Sequence, residues 1–188
     1  MSRYTRPRQP GASVFFTVAL ADRGAQTLVE HVEALRGAVR MTKAERPFEI
    51  EAWVVLPDHM HCVWTLPEGD ADYSVRMAAI KARFTRALTG NDRRVGFHPT
   101  MIGVDGGEGG VEPHPTVNGR PRTKSKVMKQ DGRVWQRRFW EHHIRDEAGF
   151  AAAVRYCWIN PVKHGLVAHP GEWPFSSWHR NGGGDLIL

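Results

Sequence analysis

At 188 residues, 41% hydrophobic and with seven Trp, the chain can bury a core of its own and is too apolar for a disordered polypeptide. No apolar run approaches the ~18 residues needed to cross a membrane, residues 1–10 carry Arg3, Arg6 and Arg8 but no signal-type apolar stretch, and two cysteines, Cys62 and Cys157, are too few for a disulfide framework. A soluble cytoplasmic protein with reduced thiols and no membrane partner is the expectation. The net charge of +6 matters for its location. Residues 117–138 hold eight basic side chains (Arg120, Arg122, Lys124, Lys126, Lys129, Arg133, Arg137, Arg138) against Asp131 alone, so this segment carries +7 and the rest of the chain about −1. Such a concentration points to a polyanionic partner, most often nucleic acid, although a solvated basic loop has the same composition.

In chain order, the basic arm around Arg3, Arg6 and Arg8 precedes a first strand at residues 13–20, rich in β-branched and aromatic side chains. Residues 28–44 place Val32, Leu35, Val39 and Thr42 at helical spacing. A second strand at 48–56 turns at Pro57-Asp58 into a third, which opens with His59-Met60-His61-Cys62-Val63-Trp64. Ser74 is the expected cap of a helix over 75–88, with Met77, Ile80, Phe84 and Leu88 inward and Arg76, Lys81, Arg83 and Arg86 outward, as an ordinary solvated face or a second phosphate contact. Residues 90–132, with nine Gly and four Pro, read as a flexible basic insertion within a single domain spanning 1–188. A strand at 134–144 and a helix at 147–159 capped by Asp146 follow. Asn160-Pro161 is expected to open a short turn, 173–178 to pack the chain end and 180–184 to fray. This order predicts an α+β fold of the ferredoxin/RRM type: a four-stranded antiparallel sheet, helices on one face, and the histidine strand central.

Alternate residues of a strand share a face, so His59 and His61 would point the same way while Met60, Cys62 and Trp64 face the core. Two imidazoles can bind a divalent metal if another ligand arrives, but composition alone yields roughly half an H-x-H per chain of this kind. Two ordinary strand histidines satisfy the pattern equally well. Tyr156 and Asn160 lie four apart and share a helix face, which would bring a phenol and a carbonyl ligand together. That combination suits attack of a tyrosine on a DNA phosphate beside a metal. His142, His143 and His164 are alternative ligands. On residue chemistry alone, the chain is a metal-capable nucleic-acid-binding domain.

Three stretches carry a resemblance: residues 46–69 (RPFEIEAWVVLPDHMHCVWTLPEG), 134–145 (VWQRRFWEHHIR) and 156–177 (YCWINPVKHGLVAHPGEWPFSS). With residues 15–18 and 80–84, and in this order, they resemble the REP-associated tyrosine transposases, a branch of the single-tyrosine HUH transposases. The resemblance implies metal-dependent cleavage and strand transfer of single-stranded, hairpin DNA through a 5′-phosphotyrosine intermediate. It implies Mg²⁺ or Mn²⁺ held by His59, His61 and Asn160, with Tyr156 as nucleophile. Trp158 stands where a relative can carry a second aromatic hydroxyl, leaving Tyr156 as the nucleophile of this helix. Arg3, Arg6, Arg8, Arg137, Arg138 and Lys163 are the expected DNA contacts, in a nucleoid-associated protein that is monomeric or homodimeric. The insertion departs from the family pattern, in which the second helix leads to the Trp-Gln strand by a short connection. The rival expectation is a non-catalytic hairpin-binding protein on the same scaffold.

Overall fold

Alternation along the strands decides which way this sheet faces. The computed structural model describes residues 8–90 and 134–181; the expected insertion at 90–132 lies, but for Gly90, outside the described residues, as do Arg3 and Arg6. The described elements are β1 (Ser13–Ala19), α1 (Thr27–Glu30), α2 (Val32–Glu45), β2 (Glu49–Val55), β3 (His59–Thr65), α3 (Tyr73–Leu88), β4 (Trp140–His143), α4 (Glu147–Lys163), a 3₁₀ turn (Pro170–Glu172) and α5 (Trp178–Asn181). The four strands pair antiparallel in the order β2-β3-β1-β4. The histidine strand β3 is therefore central, as expected.

Val14, Phe16 and Val18 of β1 and Met60, Cys62 and Trp64 of β3 join Leu35, Val39, Tyr73, Met77, Ile80 and Phe84 in the main core beneath α2 and α3. The opposite residues, Phe15 and Val63, join Ala52, Val54, Leu56 and Cys157 in a second core. Here the arrangement differs from the expectation of helices on one face. Helix α4 packs on β2 and β3 from the other side, through Cys157 with Ala153, Val154 and Trp158 around it. The cause is composition: β2 is buried on both faces (Ala52, Trp53, Val54 and Val55 in succession), and such a strand needs cover twice. Both cysteines are free and buried, in keeping with reduced thiols, and burial pushes both thiols up in pKa.

Local departures have local reasons. The expected 28–44 helix breaks at His31 (φ −115°, ψ 33°) into α1 and α2. Helix α3 starts at Tyr73, not after Ser74, with Asp72 at its N-cap and the Asp72 N–H donating to the Asp70 carboxylate at 2.7 Å. Its supposed phosphate-binding face is mostly structural. Arg76 is 2% exposed; its guanidinium donates to Asp70 Oδ1 and Oδ2 at 3.0 and 2.6 Å and to the carbonyls of Arg46 and Pro47 at 3.2 and 2.8 Å. Asp70 is held below the usual carboxylate range chiefly by the hydrogen bond from Arg76. Arg83 binds Thr42 Oγ1 and Glu45, and Lys81 donates to the Gln136 carbonyl at 2.7 Å.

Strand β4 is shorter than the expected 134–144, with Trp135 making an isolated bridge to Leu20. The chain end does pack, as expected: the Val55 N–H donates to the Phe175 carbonyl at 2.9 Å, the Ser177 N–H to the Trp53 carbonyl at 2.8 Å and the Trp53 N–H to Ser177 Oγ at 2.9 Å. Residues 175–177 thus cover the outer edge of β2, a device that protects unpaired strand groups. Arg180 is not frayed, since its guanidinium donates to the carbonyls of Ile50 and Glu51. Among the described residues, no helix is long and apolar enough to cross a membrane.

Candidate active site

His59 and His61 project from β3 on the face that α4 covers, 5% and 4% exposed, with ring centroids 5.0 Å apart. Each Nδ1 is already engaged. His59 Nδ1 lies 2.5 Å from Asp58 Oδ1, and Asp58 Oδ2 lies 3.2 Å from Arg23 Nε. His61 Nδ1 lies 2.9 Å from the hydroxyl of Thr17, its register partner on β1. An Nδ1–H donating to carboxylate or hydroxyl leaves the Nε2 lone pair for a ligand, the tautomer that metal-binding histidines adopt. Asp58 and Thr17 were not picked out from sequence. Asp58 was legible as the neighbour of His59, whereas Thr17 required the β1–β3 register.

Burial lowers the pKa of both imidazoles, that of His61 to about 3, with the neighbouring His59 and His164 acting in the same direction. For His59 the Asp58 hydrogen bond opposes burial without overcoming it. Both rings are neutral at physiological pH, as metal ligands must be. A depressed folded-state pKa means that the unfolded chain takes up protons first as pH falls through 6.5. Stability attributable to neutral burial is therefore complete above that pH and declines toward pH 3. At pH 5, His61 alone is expected to cost the metal-free protein about 2 kcal/mol relative to pH 7.5. Urea denaturation at the two pH values checks this, and His61→Gln should flatten the difference; an equal acid loss in that variant would refute it.

Helix α4 supplies the rest. The Asp146 carboxylate accepts from the Gly149 N–H at 2.7 Å, the expected N-cap. The helix then runs through Pro161 to Lys163, so Asn160 is not the opening of a separate turn. Tyr156 sits edge-on to His61 at 5.2 Å and to Phe15 at 5.6 Å, and Phe15 stacks on His61 at 5.6 Å. His164 meets His59 at 5.1 Å. Asn160 is one helical turn from each of Tyr156 and His164, so it faces the histidine pair from between them. It is 1% exposed, and neither its Oδ1 nor its Nδ2 has a hydrogen-bond partner among the described residues.

A buried amide without partners costs about 1–3 kcal/mol and calls for an explanation. An oxygen donor awaiting a cation is one, and the donor set of two imidazoles and an amide oxygen fits a divalent ion whose remaining positions are filled by water or phosphate. Among the described residues no three His, Cys, Asp or Glu side chains form a metal-binding group, so the amide oxygen would be the third side-chain donor beside the two imidazoles. Asn160→Ala should accordingly leave the metal-free protein as stable as the native one, or up to about 1 kcal/mol more stable. Chemical denaturation in EDTA measures this; a clear destabilisation would show that the amide serves the fold.

The remaining expected contacts are placed unevenly. Lys163 Nζ lies 4.7 Å from the Tyr156 ring centroid, and Arg137 and Arg138 are exposed just before β4. Arg8 lies 4.0 Å from Asp72, at the start of a helix of the opposite face. His143 points to the face away from β3's histidines, being paired with Val14, while His142 shares their face through its pairing with Phe15. Trp158 is structural: its Nε1 donates to Ser177 Oγ at 3.1 Å and its ring packs edge-on against Trp178. Beside His59 a cleft of about 430 Å³ opens between Arg23, Asp58 and His164.

No family model matches the chain. A REP-associated tyrosine transposase of Escherichia coli (strain K12) is 40% identical over 181 residues, 96% of this chain and 85% of that protein. A Haemophilus influenzae protein provisionally given the same name is 35% identical over 181 residues, 96% of this chain and 88% of its own length. A solved structure of a REP-associated tyrosine transposase bound to a REP hairpin superposes with a TM-score of 0.72 at 36% identity, over 100% of this chain and 99% of that one. Similarity at these identities, over at least 85% of every chain compared, leaves one assignment: the chain belongs to the REP-associated tyrosine transposases.

Proposed function

We propose that the chain is a metal-dependent single-stranded DNA endonuclease and strand transferase that acts on REP-type hairpins through a 5′-phosphotyrosine intermediate. The observation that carries this reading is the convergence on one sheet face of an accessible phenol, two neutral imidazoles and a buried amide without partners. A bound Mg²⁺ or Mn²⁺, held by His59, His61 and Asn160, would polarise the scissile phosphate and favour departure of the leaving oxygen.

The protein's own groups do the rest. Tyr156 is 37% exposed, so its phenolic oxygen can be approached by a phosphate that enters over α4. Its oxygen bonds to phosphorus as the P–O3′ bond breaks; the phenolic proton is lost to solvent, and the departing 3′ oxygen takes up a proton to become a free hydroxyl. The 5′ phosphate stays on Tyr156, and attack on it by another 3′-hydroxyl reverses the step and joins a new strand. Lys163 supplies positive charge beside the phenol, and Arg137 and Arg138 bind flanking phosphates. Asp58 and Thr17 hold the imidazoles in orientation. The hairpin partner follows from the relative that binds a REP hairpin. A protein with this substrate works on chromosomal DNA, in the cytoplasm.

The test is incubation of the protein with labelled hairpin DNA bearing single-stranded flanks, in Mn²⁺ or EDTA, on a denaturing gel. A metal-dependent covalent protein–DNA band is the expected result. Binding without any cut would favour a non-catalytic hairpin-binding protein on the same scaffold. Cutting without a covalent band would favour a nuclease that activates water.

A further inference from the structure

Strand β4 places an aromatic pair on the same sheet face as the histidines, beyond the cover of α4. Trp140 pairs with Thr17 and His142 with Phe15, so both side chains share the side of His61. Their rings are stacked, 5.9 Å between centroids and 5° from parallel, yet Trp140 is 57% exposed and His142 is exposed as well. An indole ordinarily buries most of its surface. Besides its stack on His142, this one meets Phe15 nearly at right angles, at 5.7 Å, and that ring in turn meets Tyr156 at 5.6 Å. The exposed π-face therefore lies one aromatic ring from the phenol, with Arg137 and Arg138 exposed immediately before it in the chain.

We propose that Trp140, backed by His142, is a stacking platform for an unpaired base of the DNA strand that runs past Tyr156. This rests on the single-stranded DNA reading above and adds a recognition element to it. A π-face accepts any base, and adjacent guanidinium groups hold the phosphates on either side, the combination by which proteins bind single strands. An apolar protein partner would not call for two exposed arginines two and three residues before the indole in the chain. Stacking would also set which phosphate reaches the phenol, because the base is anchored on β4, which pairs with β1, and Phe15 of β1 meets Tyr156.

The experiment measures binding in EDTA, so that no cleavage intervenes, for a hairpin with a single-stranded extension and for the same hairpin with blunt ends. Trp140→Ala should weaken binding of the extended hairpin by about 5- to 150-fold, leave the blunt hairpin unchanged, and be largely rescued as Trp140→Phe. Abasic sites moved along the extension should include one at which native and Trp140→Ala proteins bind alike, which identifies the stacked nucleotide. The proposal is overturned if Trp140→Ala binds the extended hairpin within about twofold of the native protein, or weakens both hairpins equally. If the native protein binds neither DNA, the functional reading itself fails, and the platform with it. An unchanged thermal midpoint separates a lost contact from a lost fold.

Discussion

Tyr156→Phe is expected to eliminate the covalent protein–DNA adduct and to lower cleavage by roughly 10³-fold or more, while hairpin affinity changes little. The phenol oxygen is the atom that bonds to phosphorus, and phenylalanine offers no substitute. The ring itself is retained, so the edge contacts with His61 and Phe15 and the Lys163 contact over the ring are kept. Stability should hold because the position is 37% exposed and the ring contacts are kept. The denaturing gel reads the adduct and a filter-binding or anisotropy titration reads affinity. An adduct that persists in Tyr156→Phe would remove Tyr156 from its role. Cleavage that persists at native rate without an adduct would instead make the tyrosine a bystander to a water-activated reaction.

The largest stability effect is expected at Arg76, far from that chemistry. Arg76→Ala should cost about 3 kcal/mol and lower the thermal midpoint by roughly 6–12 °C. Four hydrogen bonds are lost together, and the carbonyls of Arg46 and Pro47 lose their donor. Asp70 is a third exposed and can rehydrate, which keeps the cost at the lower end of that for breaking a buried pair. Arg76→Lys should recover only part, because one ammonium cannot serve two carboxylate oxygens and two carbonyls at once. Thermal denaturation with the same preparation tested for hairpin binding decides the matter. A stable Arg76→Ala protein with weakened DNA binding would return Arg76 to the phosphate-binding role that its helix position suggested.

Arg76 also shows where sequence reading stops. On a helical wheel it belongs with Lys81, Arg83 and Arg86 as an outward basic face. The structure spends three of these four on the fold because residues distant in the chain converge on α3: Pro47 and Asp70 on Arg76, Gln136 on Lys81, and Thr42 on Arg83. The same limit applied to α4. Its N-cap, its start and the four-residue spacing of Tyr156 and Asn160 were readable locally, while its end was expected four residues too early. Which sheet face it covers was not, since that depends on β2 being buried on both sides.

What the amino-acid sequence determined by itself was everything carried by short periods and by motif identity: four strands, their alternation, the common direction of His59 and His61, the capping by Asp146, and the family. Tertiary structure alone decided the partnerships. Thr17 reaches His61 only through the β1–β3 register, His164 reaches His59 only because α4 crosses their strand, and the Trp140–Phe15–Tyr156 chain of rings needs three elements brought together. The physical reason is that backbone periodicity is a local property fixed within a few residues, whereas a site is a meeting of side chains remote in sequence. Burial then sets their chemistry. The same imidazole that titrates near neutrality in water is held neutral down to about pH 3 at His61, and no pattern of letters records how much water the fold removes.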